Sequence, residues 1–194
     1  TSITVGDGGL FVREMQRISN TDKEYEYGSC QSRKGAINTP AGLFFMSQEQ
    51  GKVFLIGEGL QEVTLQNNQH WFNQYLPYQL LNDFPQYDLL DNTIAGIGCQ
   101  ALYDNEFGVV YFTKRDFRVK PEYRKMVEDG RFNYQGEGLF VVDGITTVKT
   151  GDSRYFNDAS WTISYDPKNG QEISFHDWHP NLIMSGKNTF LTVT

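Results

Sequence analysis

The fold class is decided by residues 160–175, which read SWTISYDPKNGQEISF. In the first half, large apolar residues from Trp161 to Tyr165 alternate with Thr and Ser, which is the period of a half-buried β-strand. The DPKNG segment that follows has turn chemistry, because Pro167 presets φ and Gly170 accepts a left-handed backbone. The alternation of apolar and polar residues resumes after the turn. The stretch therefore predicts a β-hairpin.

Two further stretches have the same layout, namely residues 43–54 (LFFMSQEQGKVF) and residues 101–112 (ALYDNEFGVVYF). Each has an apolar strand, a short polar link, a glycine and a second apolar strand. The turn glycines Gly51, Gly108 and Gly170 recur at intervals of roughly 60 residues. Such recurrence favours propeller-like blades, each unable to bury its own apolar face. Three unrelated hairpins of an all-β protein are the alternative.

The chain as a whole is predicted to be mainly all-β, with repeated antiparallel hairpins. We expect residues 1–194 to form a single β-rich region, with hairpin units near residues 43–65, 94–119 and 131–194. A further hairpin is predicted at residues 3–12. The sequence opens and closes with strand-like alternation, which leaves sheet edges that invite pairing. We therefore expect this chain to be part of a larger propeller-like protein.

One segment breaks the β-pattern and predicts an inserted helix around residues 68–82. Trp71, Phe72 and Tyr75 belong to an apolar series with helical spacing. Pro77 lies inside the segment and would kink or split the helix. The helix either packs on a partner through these aromatic side chains or simply covers the edge of the sheet.

The net charge limits the classes of partner that we expect, and the cysteine content limits the disulfides. The formal net charge of −7 disfavours direct binding of nucleic acid or of anionic membranes, and no apolar run is long enough to span a bilayer. The one locally basic segment, residues 114–125, is interleaved with acidic residues and predicts a solvated face. Cys30 and Cys99 are too few for a disulfide framework, so reduced thiols are predicted, with one bridge as the alternative.

Residues with catalytic or metal-binding chemistry are concentrated in one short segment. His176, Asp177 and His179 form the His-rich cluster of the sequence. A metal site needs convergent ligands, whereas positions 176 and 179 of a strand point to opposite faces. The segment instead favours a structural corner with Trp178 packed. The sequence has no nucleophile elbow, P-loop or dinucleotide fingerprint. We therefore assign no catalytic residue, no metal ligand and no cofactor, and we do not expect an enzyme.

Five groups of segments in this sequence carry a resemblance to a known family. The groups are Gly28–Ser32; Ile37–Pro40 with Gly42–Phe54; Trp71-Phe72 with Tyr75–Pro77; Asp88–Asn92 with Gly96–Cys99; and Tyr155-Phe156 with Ser160–Pro167 and Ser174–Pro180. Together they extend over most of the chain. In these segments the sequence resembles a large virion protein of crAss-like tailed phages, a stabilisation or muzzle-type protein associated with the tail. These segments are typical of strands and corners, so no catalytic residue is carried over.

The resemblance implies a β-rich, propeller-like structural part that assembles in several copies around the tail. The expected location is the virion, after assembly in the cytoplasm of the bacterial host. Its expected partners are other virion proteins and copies of itself, with no membrane and no nucleic acid. Contacts are predicted at Trp71, Phe72 and Tyr75 of the helix and at Trp178 of the corner. Family members are far longer, which again suggests a fragment.

A second function class remains open. The chain has 24 acidic residues together with 14 Phe, 11 Tyr and 3 Trp. Carboxylates and aromatic platforms are the groups with which proteins hold or cleave glycans. The alternative is therefore a glycan-binding or glycan-cleaving β-propeller used in host attachment.

Overall fold

The computed structural model describes residues 30–66, 68–170, 173–186 and 189–193. Strands account for 43% of the structure and helices for 13%, which confirms the prediction of a mainly all-β fold with antiparallel sheets. The hairpin predicted at residues 3–12 lies outside the described residues.

The described chain contains fifteen short strands. These strands are β1 (Ala36–Thr39), β2 (Gly42–Ser47), β3 (Lys52–Ile56), β4 (Leu60–Glu62), β5 (Gly98–Asp104), β6 (Val109–Arg115), β7 (Phe117–Val119), β8 (Phe132–Gly136), β9 (Leu139–Val142), β10 (Thr146–Lys149), β11 (Phe156–Asp158), β12 (Trp161–Tyr165), β13 (Ile173–His176), β14 (Leu182–Ser185) and β15 (Phe190–Val193). The α-helices of this part of the chain are α1 (Gln69–Tyr75), α2 (Leu80–Asp83) and α3 (Arg124–Glu128). Single 3-10 turns at Val63–Gln66 and Pro121–Tyr123 lead towards α1 and into α3.

The strands pair antiparallel in several small sheets. The first sheet has the order β1-β2-β3-β4, and the central sheet has the order β13-β12-β6-β5. A three-stranded sheet, β10-β9-β8, and the pairs β11-β7 and β14-β15 complete the described part. In the central sheet, Ile163 of β12 lies opposite Phe112 of β6. This long-range pairing joins two hairpins that are far apart in sequence.

The three hairpins predicted from turn chemistry are confirmed, as β2–β3, β5–β6 and β12–β13. Gly51, Gly108 and Gly170 have φ values of 63°, 69° and 69°, the left-handed conformation expected of them. The second and third hairpins nevertheless lie side by side in the central sheet, while the first belongs to another sheet. The spacing of roughly 60 residues therefore does not correspond to one hairpin per sheet. The propeller-like arrangement remains a prediction.

The predicted unit of residues 131–194 is divided among several sheets. Strands β8, β9 and β10 pair with each other, but β11 pairs with β7 and β12 pairs with β6. The reason is that a single hairpin cannot bury both of its faces, so its strands recruit earlier parts of the chain. The segment predicted as one helix around residues 68–82 is likewise split into α1 and α2 around Pro77, as its ring requires.

Two apolar clusters form the core of the described part of the chain. The first lies between the first sheet, the central sheet and α1, where the Phe44 ring is 6.1 Å from Phe112 and 5.6 Å from Tyr165. The second surrounds β7 to β11 and α2, where Phe140 is 4.8 Å from Phe84. Tyr78, in the break between α1 and α2, packs against both clusters. The break between the helices therefore lies at the junction of the two cores.

Replacing Gly51 by alanine tests how tightly the first hairpin turn is fitted against α1. A Cβ at Gly51 would lie 2.6 Å from Asn73 Cα, whereas a Cβ at Gly144, with φ of 70°, meets nothing within 4 Å. We expect Gly51→Ala to lower the free energy of unfolding by about 2–4 kcal/mol, and Gly144→Ala by about 1 kcal/mol, since both share the φ strain. Urea denaturation of the two variants measures the difference. Equal losses would show that α1 does not press on the turn.

Candidate functional site

A buried ion pair lies at the end of β6. The Nζ atom of Lys114 is 2.7 Å from Oδ2 of Asp116, and neither side chain is exposed to solvent. The two residues are separated by one position, so in extended backbone they point to the same side. Because an isolated charge in the protein interior is strongly disfavoured, each group depends on the other and on its hydrogen bonds.

The ion pair forms hydrogen bonds with the backbone groups on both sides of the break between α1 and α2. Lys114 Nζ donates hydrogen bonds to the carbonyl oxygens of Tyr75, at 2.6 Å, and Pro77, at 2.8 Å. The Asp116 carboxylate accepts from the backbone N–H groups of Gln79, at 2.6 Å, and Leu80, at 3.3 Å. Backbone groups at helix ends lack partners within the helix. Here a cation satisfies carbonyls at the end of α1 and just after it, and an anion satisfies the N–H groups that open α2.

This arrangement corrects the prediction of a solvated basic face over residues 114–125. Lys114 and Asp116 belong to the interior, although Arg118 of the same segment is exposed. The sequence carried a signal for this, because Val110, Phe112 and Lys114 alternate on β6 and so lie on one face. The two apolar members of that series are buried, which places Lys114 on the core side.

A polar network extends from the ion pair towards the first sheet. The Tyr78 hydroxyl is 3.1 Å from Ser32 Oγ, and Gln48 Nε2 donates to the same oxygen at 2.9 Å. Burial raises the pKa of the Cys99 thiol to about 11 and raises the pKa of Tyr78 above its ordinary value. Burial also raises the pKa of Asp116, while the Lys114 ammonium and backbone N–H groups act in the opposite direction. These groups are held in place rather than open to solvent.

An open groove lies beside this break, on the outer side of α1. It has a volume of about 310 Å³, and we call it the aromatic groove after its lining residues, which include Trp71, Tyr75, Gln79, Arg118, Asp158 and Trp161. The Trp71 ring is 5.1 Å from Trp161 and 5.3 Å from Tyr75. The groove therefore combines aromatic walls with one cation, one carboxylate and one amide.

The structure separates the four residues predicted as contacts. Trp71 is half-buried and Tyr75 is 40% exposed, so both reach the surface in the aromatic groove. Phe72 is only 1% exposed and belongs to the first core cluster. The prediction of a surface contact at Phe72 is therefore corrected, because its position on α1 faces inward. Trp178 lies elsewhere, next to Tyr111 and Phe190.

The Trp178 corner is an aromatic cluster on the central sheet. The Trp178 ring lies 5.5 Å from Tyr111, 5.3 Å from His176 and 6.0 Å from Phe190. His176 Nε2 is 2.9 Å from Ser164 Oγ. His179 turns away towards Asp158, with Nδ1 and Oδ2 3.9 Å apart. Within the described ranges, no group of three or more His, Cys, Asp or Glu side chains is arranged to hold a metal ion.

A second surface was not anticipated from the sequence. Strands β14 and β15 form a two-stranded ribbon in which Leu182 lies opposite Val193 and Met184 lies opposite Leu191. These four side chains share one face of the ribbon, which we call the ribbon face. Met184, Leu191 and Val193 are 45%, 60% and 48% exposed. The sequence indicated these strands, but not which of their faces would remain uncovered.

Replacing Lys114 by methionine tests the role of the buried ion pair. Methionine keeps the length of the side chain but leaves Asp116 charged and unpaired, so we expect the free energy of unfolding to fall by about 3–5 kcal/mol. The matched control is Lys52→Met, since Lys52 pairs with Glu62 at 2.9 Å but is 30% exposed. The control is expected to cost less than about 1 kcal/mol. Chemical denaturation measures the free energy of unfolding of both variants. Similar losses in the two variants would contradict a special contribution of the buried ion pair to stability.

The two cysteines, which the structure gives as free thiols, offer a probe of the network. Burial raises the pKa of both thiols, but Cys99 is only 1% exposed whereas Cys30 is half-buried. Because the thiolate is the reactive form, we expect iodoacetamide at neutral pH to alkylate Cys30 at least about 100-fold faster than Cys99 in the folded protein. Peptide mass spectrometry over time measures both rates. In denaturant the two rates should converge, and equal rates in the folded state would refute the burial of Cys99.

The helices of the described residues are short, and none is long and apolar enough to cross a membrane. In comparisons with known proteins, no protein-family model, no curated protein and no solved structure matches this chain.

Proposed function

We propose that this chain is a structural component of a tailed-phage virion, which stabilises a tail or connector assembly by protein–protein contacts. The observation that carries the proposal is the ribbon face, where the exposed apolar side chains of Met184, Leu191 and Val193 lie side by side. Exposed apolar patches on proteins typically mark surfaces that bind other proteins. The partner is a neighbouring copy of the chain or an adjacent subunit of the particle.

The ribbon is anchored on its inner side, which leaves the ribbon face outward. Ile183 is 8% exposed, and its backbone N–H donates to Gln100 Oε1 of β5 at 3.1 Å. Phe190, on the same inner side, contacts Tyr111 and Trp178. Trp178 packs against Phe190 of the ribbon and Tyr111 of the central sheet, and its contact with a partner remains a prediction. A firmly seated ribbon presents its apolar side chains without having to be ordered on binding.

The size of the ribbon face favours a repeated contact over an isolated dimer. Burying the exposed part of Met184, Leu191 and Val193 would contribute about 1 kcal/mol each. That total is well below the roughly 8 kcal/mol of a micromolar complex. Several such contacts around a ring or sleeve reinforce one another through high effective concentration. The side chains of the ribbon face are uncharged, so copies of a chain with net charge −7 can meet there with the least repulsion.

Introducing a charge on the ribbon face tests this proposal in the particle. We expect Leu191→Asp to lower the amount of this chain in purified virions at least about tenfold, because an aspartate would be desolvated at the contact. The control is Ile145→Asp, since Ile145 is 87% exposed in a turn away from the ribbon. Quantitative mass spectrometry of purified particles is the measurement, and thermal melts of the isolated variants check folding.

Two outcomes would overturn the proposal. One is the absence of this chain from wild-type particles. The other is normal incorporation of the Leu191→Asp variant.

A further inference from the structure

The aromatic groove is separate from the ribbon face, and its residues play no part in the subunit contact proposed there. Its wall consists of the side chains of Trp71, Tyr75 and Trp161, with Trp71 edge-on to Trp161 and tilted against Tyr75. Phe72 packs edge-on against Trp71 at 5.0 Å, and Trp161 Nε1 donates to the Tyr75 carbonyl oxygen at 3.0 Å. The same carbonyl oxygen is held by Lys114. The aromatic wall is therefore rigid before any ligand arrives, which reduces the entropic cost of binding.

The polar rim of the groove offers both donors and acceptors. Arg118 is exposed, lines the groove and forms no ion pair among the described residues, so its guanidinium donors are available to a ligand. Asp158 is 59% exposed at its side chain, and Oδ1 accepts from the Ser160 backbone N–H at 2.8 Å. Gln79 uses its amide N–H groups on the Gln74 and Pro77 carbonyls, which orients its amide oxygen as a further acceptor.

From this arrangement we propose that the aromatic groove binds a neutral saccharide. A pyranose ring has an apolar face of C–H groups, which packs on the aromatic rings of Trp71 and Tyr75. Its hydroxyl groups can then donate to Asp158 and Gln79 and accept from Arg118. One cation and one carboxylate balance each other, so the groove favours an uncharged ligand over an acidic one. A volume of about 310 Å³ suits one or two sugar rings.

The proposal narrows the glycan alternative raised by the composition to one place and one ligand class. It is independent of the structural role, because the groove and the ribbon face share no residue. A virion component can carry both, and either can fail without the other.

The three tryptophans of the chain provide reporters for the test. Trp71 and Trp161 line the groove, whereas Trp178 belongs to the corner cluster. In ¹H–¹⁵N spectra, titration with cellotriose, maltotriose and mannotriose should shift the Trp71 indole signal with at least one of these probes. The Trp178 signal should stay in place. Trigalacturonate is the acidic comparison and should bind more weakly.

Substitutions at the rim and wall complete the experiment. Tyr75→Ala and Asp158→Asn should each weaken binding of the active trisaccharide at least about fivefold. Phe107→Ala, at an exposed turn residue, and Asp129→Asn, on the exposed surface, should leave it unchanged. Retained indole spectra of the variants show that they fold. No shift of Trp71 with any neutral probe, tighter binding of trigalacturonate, or unaltered affinity in both groove variants would overturn the proposal.

Discussion

The buried pair of Lys114 and Asp116 is the interaction on which the rest of the structure depends. Pro77 forces a break between α1 and α2, and a break inside a protein exposes backbone groups that need partners. The ion pair supplies them at both ends, with an ammonium for two carbonyls and a carboxylate for two opening N–H groups. A buried ion pair is not by itself a strong source of stability compared with apolar packing. Its value here lies in fixing one geometry for a segment that would otherwise have several.

Both candidate surfaces depend on that geometry, directly or through the central sheet. The aromatic groove exists because the end of α1 is tied to β6 and β12, with Tyr75 held by Lys114 and Trp161. The ribbon packs on the other face of the same sheet, where Phe190 contacts Tyr111 and Ile183 is hydrogen-bonded to Gln100. The central sheet thus acts as a rigid frame with a polar, aromatic-lined site on one side and an apolar face on the other. Sites mounted on such a frame keep their shape in the absence of a ligand.

Local features were predictable from the sequence, and long-range ones were not. The hairpins around Gly51, Gly108 and Gly170 follow from turn residues and alternation within about a dozen positions. The split of the helix follows from Pro77 alone. The pairing of β12 with β6 does not, because apolar strands of similar length offer many equivalent partners and the choice depends on the whole core. The glycine spacing predicts one hairpin per blade, and nothing local in the sequence shows that hairpins β5–β6 and β12–β13 share one sheet.

In the candidate sites, too, some features could be predicted from the local sequence and others could not. Trp71 and Tyr75 reach the surface as expected of an amphipathic helix, but Phe72 does not, since adjacent positions on a helix face different directions. The charge of Lys114 predicts a place in solvent, whereas its position in the series Val110, Phe112, Lys114 puts it on the core face of β6, where it is buried. The ribbon face was missed because a two-residue period reveals that one face is apolar, not whether another element covers it.

The position of the helix break between the two core clusters has a consequence for how the chain denatures. Tyr78 is shared by both clusters, and the ionic link spans the boundary between them. If one cluster unfolded alone, either Lys114 or Asp116 would remain buried without its partner, so the unfolding of the two clusters is coupled. The described chain should consequently lose its structure in one calorimetric transition, as a single cooperative block.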